Sequence, residues 1–299
     1  MKKIRFEKIT DEIYYLTTPH GERSVGITLI KGSRPENTVL IDTGANDTAI
    51  TDYLLPALKA EDISPREIGI VTLTHCHADN IGGLCALRDV IPRIKVIVPH
   101  GFTEAVRNPM SVIMKERDVF PMHNPQFQEV RGVYVDRELT PEEDSGRKEL
   151  AGLRAIRVKG HADGVCWLHS ATGTLISGDA LQGNGDPYQG MPYYTDARGY
   201  KMSLKSLEEL PVKILVTSRE MDGIAVIERG NEAYRKAIAR CQECATEIGR
   251  WVKEQYDAGE RDVEVIARNI LNAHFEGVPD ALCFAMSTVS SHIRYKVFE

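Results

Sequence analysis

The apolar run Ile68-Gly69-Ile70-Val71-Thr72-Leu73 stops at Thr74-His75-Cys76-His77-Ala78-Asp79-Asn80, and Ile81-Gly82-Gly83 leads into the next helical pattern. A short apolar run ending at polar residues is the mark of a buried strand. This strand delivers two imidazoles and a carboxylate to one turn. A solitary histidine is commonly a surface or satisfied core residue. Two of them beside an aspartate at a strand end are better read as a ligand set, because neutral imidazole is a preferred nitrogen donor for zinc, iron or manganese. Cys76, between them, should project to the other side, as alternate residues do on extended chain.

The surrounding pattern alternates strand and helix. Ile13-Tyr14-Tyr15-Leu16, Val25 to Ile30 and Thr38 to Ile41 carry strand composition, and residues 46 to 60 place Ile50, Tyr53, Leu54 and Leu58 on one helical face. Ile81 to Val90 predicts a helix and Lys95 to Val98 a strand. Strands return at Leu153 to Val158, Val165 to His169, Thr174 to Ser177 and Lys213 to Val216, with a long loop from Gln182 to Gly199. This is an α/β layered pattern. From residue 229 the character turns helical: Tyr234, Ile238, Cys241, Ala245, Ile248, Val252 and Tyr256 recur at three- and four-residue steps. Asp262 is an N-cap for a second helix, and Leu282, Met286, Val289 and Ile293 mark a third. The expected organisation is a domain over 1–228 and a helical extension over 229–299, acting as a lid, a cap or a dimer surface.

The segment Thr74 to Gly83 resembles the H-x-H-x-D-H signature of the metallo-β-lactamase superfamily. Three further stretches are similar to that family's motifs, in its order: Leu40-Ile41-Asp42-Thr43-Gly44, Gly160-His161-Ala162-Asp163-Gly164 and Leu175-Ile176-Ser177-Gly178-Asp179. The resemblance implies a four-layer αβ/βα sandwich with metal at one edge. It implies that His75, His77 and His161 hold the first metal, that Asp79 belongs to a second and that Asp179 bridges the two.

The chain departs from the pattern twice. Asn80 stands where the second-site histidine belongs, and an amide oxygen is a weaker ligand for zinc or iron. The last histidine should follow Val216, where the sequence reads Thr217-Ser218-Arg219-Glu220-Met221-Asp222-Gly223. Arg219 lies nearest that position, with Glu220 and Asp222 as alternatives. Two missing nitrogen donors favour one ion over two. Arg219 is then a candidate for a fixed positive charge in the second metal's place, pairing with Asp79 or Asp179 or clamping an anionic substrate group.

The resemblance implies a hydrolase: a metal on His75, His77, His161 and Asp179 lowers the pKa of bound water, and the reaction is on an ester, thioester, lactone or amide-type small molecule. Asp79 would orient the nucleophile or carry its proton. Zinc is the expected metal, with iron or manganese as alternatives. Thr74 to Asp79 also resembles the same stretch in persulfide dioxygenases, which use one iron, although Asn80 to Gly83 and the helical tail do not. The remaining alternative is a degenerate, non-catalytic ligand-binding member of the fold. Asn80, His123, Tyr188, Tyr193 and Tyr194 are candidate substrate contacts.

With a net charge of −6, the chain carries no electrostatic footprint for nucleic acid or an anionic membrane. The basic start Met1-Lys2-Lys3 precedes no apolar segment of a signal peptide, and no run nears the ~20 residues of a membrane helix. Six cysteines without a regular framework suit reduced thiols in a cytoplasmic protein. Cys241 and Cys244 sit inside a helical pattern and are read as structural. The expected partner is a small-molecule substrate, with a homodimer possible.

Overall fold

Runs of branched residues become strands. In the computed structural model, which describes residues 4–111, 113, 129–140, 150–275 and 282–298, one sheet contains β1 (Glu7–Lys8), β2 (Ile13–His20), β3 (Arg23–Ile30), β4 (Thr38–Ile41), β5 (Ile68–Thr72), β6 (Lys95–Val98) and β7 (Arg137–Glu138). Their spatial order is their chain order. The β2–β3 and β3–β4 pairs are antiparallel, while β4–β5, β5–β6 and β6–β7 are parallel. Parallel neighbours need crossovers. A π-helical turn (Ala49–Leu54) running into α1 (Leu55–Ala60) joins β4 to β5, and α2 (Ala78–Ile81) with α3 (Leu84–Val90) joins β5 to β6. Burial follows: Val39, Leu40, Ile41, Val71, Val96 and Val98 are enclosed, which is why β4, β5 and β6 read as continuous apolar runs.

The second sheet contains β8 (Leu153–Val158), β9 (Gly164–His169), β10 (Thr174–Gly178), β11 (Ile214–Thr217) and β12 (Ile227–Arg229), in the order β12-β11-β10-β9-β8. The expected α/β architecture of two sheets with flanking helices is what the chain forms. Two compact units divide it. The first holds the seven-stranded sheet with Val165–Gly178, and the second holds Arg157–Gly164 and the residues from Asp179 onward. In the first unit, Trp167 of β9 is fully buried, and its indole N–H donates to the Leu73 carbonyl at 2.9 Å. The Val165 N–H donates to the Thr74 carbonyl at 2.8 Å. These bonds fix the end of β5 just before His75.

After α4 (Thr103–Arg107), the second unit contributes α5 (Ala197–Glu208), α6 (Asn231–Asp257), α7 (Val263–His274) and α8 (Leu282–Tyr295). Ile248, Val252, Ile266, Ile270 and Val289 form the shared core of the last three. Asp262 caps α7, accepting from the Glu264 and Val265 N–H groups. Among the described residues, no helix is long and apolar enough to cross a membrane.

Two sequence expectations are corrected. The helix expected over 81–90 is interrupted at Gly82-Gly83, where the Asp42–Ala45 turn leaves no room for side chains: a Cβ on Gly82 would sit 1.8 Å from the Ala45 carbonyl oxygen. The loop expected to reach Gly199 ends at Asp196, whose carboxylate accepts the Gly199 N–H at 2.8 Å and caps α5.

Candidate metal centre

The turn after β5 is held by a buried hydrogen-bond chain. Asp42 adopts φ +61, a left-handed conformation that aspartate tolerates better than most residues. Its carboxylate accepts the Thr74 N–H at 2.8 Å and the Thr74 hydroxyl at 2.7 Å. The same hydroxyl lies 3.0 Å from His75 Nδ1. A hydroxyl has one proton to give. With that proton directed to Asp42, it accepts from His75 Nδ1–H, and the lone pair of His75 is left on Nε2. Burial pushes the Asp42 carboxyl up to about 7, against the downward pull of both Thr74 hydrogen bonds.

His77 immediately precedes α2, with its ring 4.7 Å from that of His75 at 81°. The Asn80 amide nitrogen reaches Asp79 Oδ1 at 3.1 Å and His75 Nε2 at 3.3 Å. Asn80 is fully buried, and its Oδ1 has no hydrogen-bond partner among the described residues. Cys76 packs against the apolar core.

In the second unit, His161 Nδ1 lies 2.9 Å from the Tyr193 carbonyl oxygen. A carbonyl only accepts, so this ring carries its proton on Nδ1 and its lone pair on Nε2. That Nε2 is 3.6 Å from Asp179 Oδ2. Asp179 is buried, with Oδ2 paired to the Arg219 guanidinium and Oδ1 accepting the Ser218 hydroxyl. Of the three residues considered for the missing histidine's place, Arg219 is the one drawn in to Asp179; Glu220 and Asp222 are exposed. Gln182 braces the loop: its amide N–H donates to the Asp179 carbonyl at 2.7 Å, and its Oε1 accepts from Gln189 Nε2 at 3.0 Å and the Tyr193 N–H at 3.2 Å.

His75 and His77 in the first unit and His161 in the second are the three candidate imidazole donors. The donor set fits a metal. Both His75 and His161 are tethered through Nδ1, the arrangement that fixes tautomer and ring orientation in metal-ligating histidines and leaves Nε2 as the ligand atom.

Tyr188 and Tyr193 are half-buried, whereas Tyr194 is fully enclosed and its hydroxyl is 2.8 Å from His292 Nε2. His123 lies outside the described residues. Cys241 and Cys244 are buried in α6, where burial raises both thiols, that of Cys244 to about 12; neutral thiols are poor ligands. Asp42, Thr74, Gln182 and Ser218 carry the site's support and were not singled out by the sequence. The motif Asp42-Thr43-Gly44 was the available signal.

Comparisons with known proteins bear on the family and the fold. Residues 20–219 match the profile of the family described as Metallo-beta-lactamase superfamily. YqjP of Bacillus subtilis strain 168, named a probable metallo-hydrolase, is 27% identical over 222 residues, covering 66% of this chain and 67% of that protein. A metallo-beta-lactamase family protein of Thermus thermophilus superposes with a TM-score of 0.72 at 18% identity, covering 97% of this chain and 95% of its own. The metallo-beta-lactamase FIM-1 of Pseudomonas aeruginosa, in its mono-zinc form, gives 0.59 at 15% identity, covering 80% and 95%. At such identities the likeness is one of fold, and it is the αβ/βα sandwich implied by the motifs.

Proposed function

Because this chain belongs to the metallo-beta-lactamase superfamily, we propose that it is a hydrolase in which His75, His77 and His161 hold one divalent transition metal, zinc first, acting on an ester, thioester, lactone or amide-type small molecule. The observation that carries this reading is the pair of Nδ1 tethers, His75 to Thr74 and His161 to Tyr193, which leave Nε2 of each ring as the ligand atom. A divalent cation there would acidify a water ligand and polarise the oxygen under attack.

The chain's own residues supply the rest. Asp79, beside Asn80 in the same turn, orients the nucleophile and takes its proton. Arg219 and Ser218 engage both oxygens of Asp179, so a guanidinium sits where a second cation would need that carboxylate. This supports single-ion occupancy, a state that the fold accommodates in FIM-1. The half-buried rings of Tyr188 and Tyr193 offer the substrate contacts, and Tyr194 does not, since its ring is enclosed.

Elemental analysis of protein purified without added metal, alongside His77→Ala, tests the reading. The expected result is close to one transition-metal ion per chain in the wild type, none in the variant, and hydrolysis of a panel of esters, thioesters and lactones by the wild type alone. A metal-free wild type, or a variant that keeps its metal, contradicts it. Iron accompanied by oxygen uptake on a persulfide would redirect it to oxygenation.

A further inference from the structure

The last helix, α8, presents Phe284, Thr288 and His292 at four-residue intervals, a spacing that stacks side chains on one helical face. All three touch the stretch Pro192–Tyr194. The Phe284 ring lies 5.1 Å from the Tyr193 ring at 70°. The Thr288 hydroxyl donates to the Pro192 carbonyl at 2.8 Å and accepts the Tyr194 N–H at 3.1 Å. His292 Nε2 meets the Tyr194 hydroxyl at 2.8 Å.

One peptide unit joins these contacts to His161. The N–H of Tyr194 and the C=O of Tyr193 belong to the same amide plane and point in opposite directions in a trans peptide. On one side that amide donates to Thr288 Oγ1; on the other it accepts from His161 Nδ1 at 2.9 Å. The result is a continuous chain: His161 Nδ1–H to the Tyr193 carbonyl, the Tyr194 N–H to the Thr288 hydroxyl, and that hydroxyl to the Pro192 carbonyl. Each bond polarises the next in a dry interior. Thr288, Tyr194 and His292 are fully buried, so water does not substitute for a missing link. The Tyr193 ring also packs edge-on against the His161 imidazole, 5.1 Å between centroids at 89°.

We infer that Thr288 is a positioning residue for His161, setting the tautomer and aim of that imidazole from the C-terminal helix through the Tyr193–Tyr194 peptide. The inference rests on the reading of His161 as a metal ligand, and it gives α8 a task at the metal centre. Thr288→Val keeps the shape and removes the hydroxyl; Thr288→Ser keeps the hydroxyl.

Two readouts test it. Long-range proton–nitrogen NMR of the metal-free protein reports the His161 tautomer, and titration with cobalt(II) against a chelator reports affinity. The expected result is an Nδ1-protonated ring in the wild type, a mixed tautomer in Thr288→Val with cobalt bound about 10–100-fold more weakly, and near wild-type behaviour in Thr288→Ser. Wild-type tautomer and affinity in Thr288→Val overturn the inference while leaving the metal reading intact. A wild type that takes up no cobalt removes the metal reading. Unfolding of Thr288→Val with full retention of structure and affinity in Thr288→Ser supports the hydroxyl's role, whereas loss of affinity in a folded Thr288→Ser overturns it.

Discussion

Arg219 and Asp179 form a buried ion pair, the guanidinium on Oδ2 while the Ser218 hydroxyl occupies Oδ1. Removing one partner of a buried pair leaves an uncompensated charge, at a cost of about 3–5 kcal/mol. Arg219→Met is therefore expected to lower the denaturant midpoint substantially. Arg219→His should act differently, because it restores a nitrogen donor beside a carboxylate relieved of its cation. Bound zinc, measured by elemental analysis after dialysis against excess metal, should rise from one ion per chain towards two. A value that stays at one would show that the guanidinium is not what excludes the second ion.

Asp42 is expected to matter to metal affinity without being a ligand. Asn at this position tolerates the left-handed backbone of φ +61. It offers one acceptor where the Thr74 N–H and hydroxyl use two. Asp42→Asn should cost about 1–3 kcal/mol through the unsatisfied donor. It should also weaken metal binding about 10-fold, since His75 loses its anchored Nδ1 partner. Chelator competition and thermal melting check both. Unchanged affinity in a folded variant would confine Asp42 to shaping the turn.

Gly82 is required for space. Gly82→Ala drives a Cβ into the Ala45 carbonyl oxygen, 1.8 Å away, and backbone yields less readily than a side chain. Overpacking costs roughly 1–3 kcal/mol, and this case belongs at the upper end. Gly101→Ala is the control: at φ +87 with no atom within 4 Å, it carries backbone strain alone, about 1–2 kcal/mol. Equal destabilisation of the two in urea melts would show that the Asp42–Ala45 turn moves aside.

The strands and the His75–Asp79 turn were legible because their signals are local: apolar runs of period two or continuous burial, ended by residues that no core strand would carry. Asn80 and Arg219 were legible only as departures from a family pattern. The pairing of Arg219 with Asp179 was one of several options, since nothing in Thr217 to Gly223 says which side chain turns inward. The need for glycine at positions 82 and 83 was hidden because the turn that excludes side chains there lies some 40 residues away in sequence. The helix Ala197–Glu208 carried ordinary signals, an Asp196 cap and Tyr200, Leu204 and Leu207 on one face, masked by the glycines before it. Thr288 was invisible for a different reason. A threonine in a helix commonly satisfies its own turn, and only the fold brings it against the Tyr193–Tyr194 peptide.

His292 gives the C-terminal helix a pH dependence with a defined sign. Burial lowers its pKa to about 4 from an ordinary value near 6.5, helped by Lys201 and opposed by the hydrogen bond from Nδ1 to the Val297 carbonyl at 2.5 Å. In the folded protein the ring stays neutral where the unfolded chain's ring takes a proton. Between about 6.5 and about 4 the unfolded state binds more protons, so stability falls as pH falls through that window and is fully present above it. The effect is at most about 3–4 kcal/mol, at ~1.4 kcal/mol for each pH unit that separates the two values. Asp42, raised to about 7 by burial, acts with the opposite sign, contributing stability that is lost as pH rises. The comparison is therefore between the wild type and His292→Gln, in which the Asp42 contribution cancels. The wild type's advantage over the variant in urea midpoints should shrink as pH is lowered from about 7 to about 4.5. A difference that holds constant across that range would mean that His292 takes up its proton in the fold as easily as in the unfolded chain.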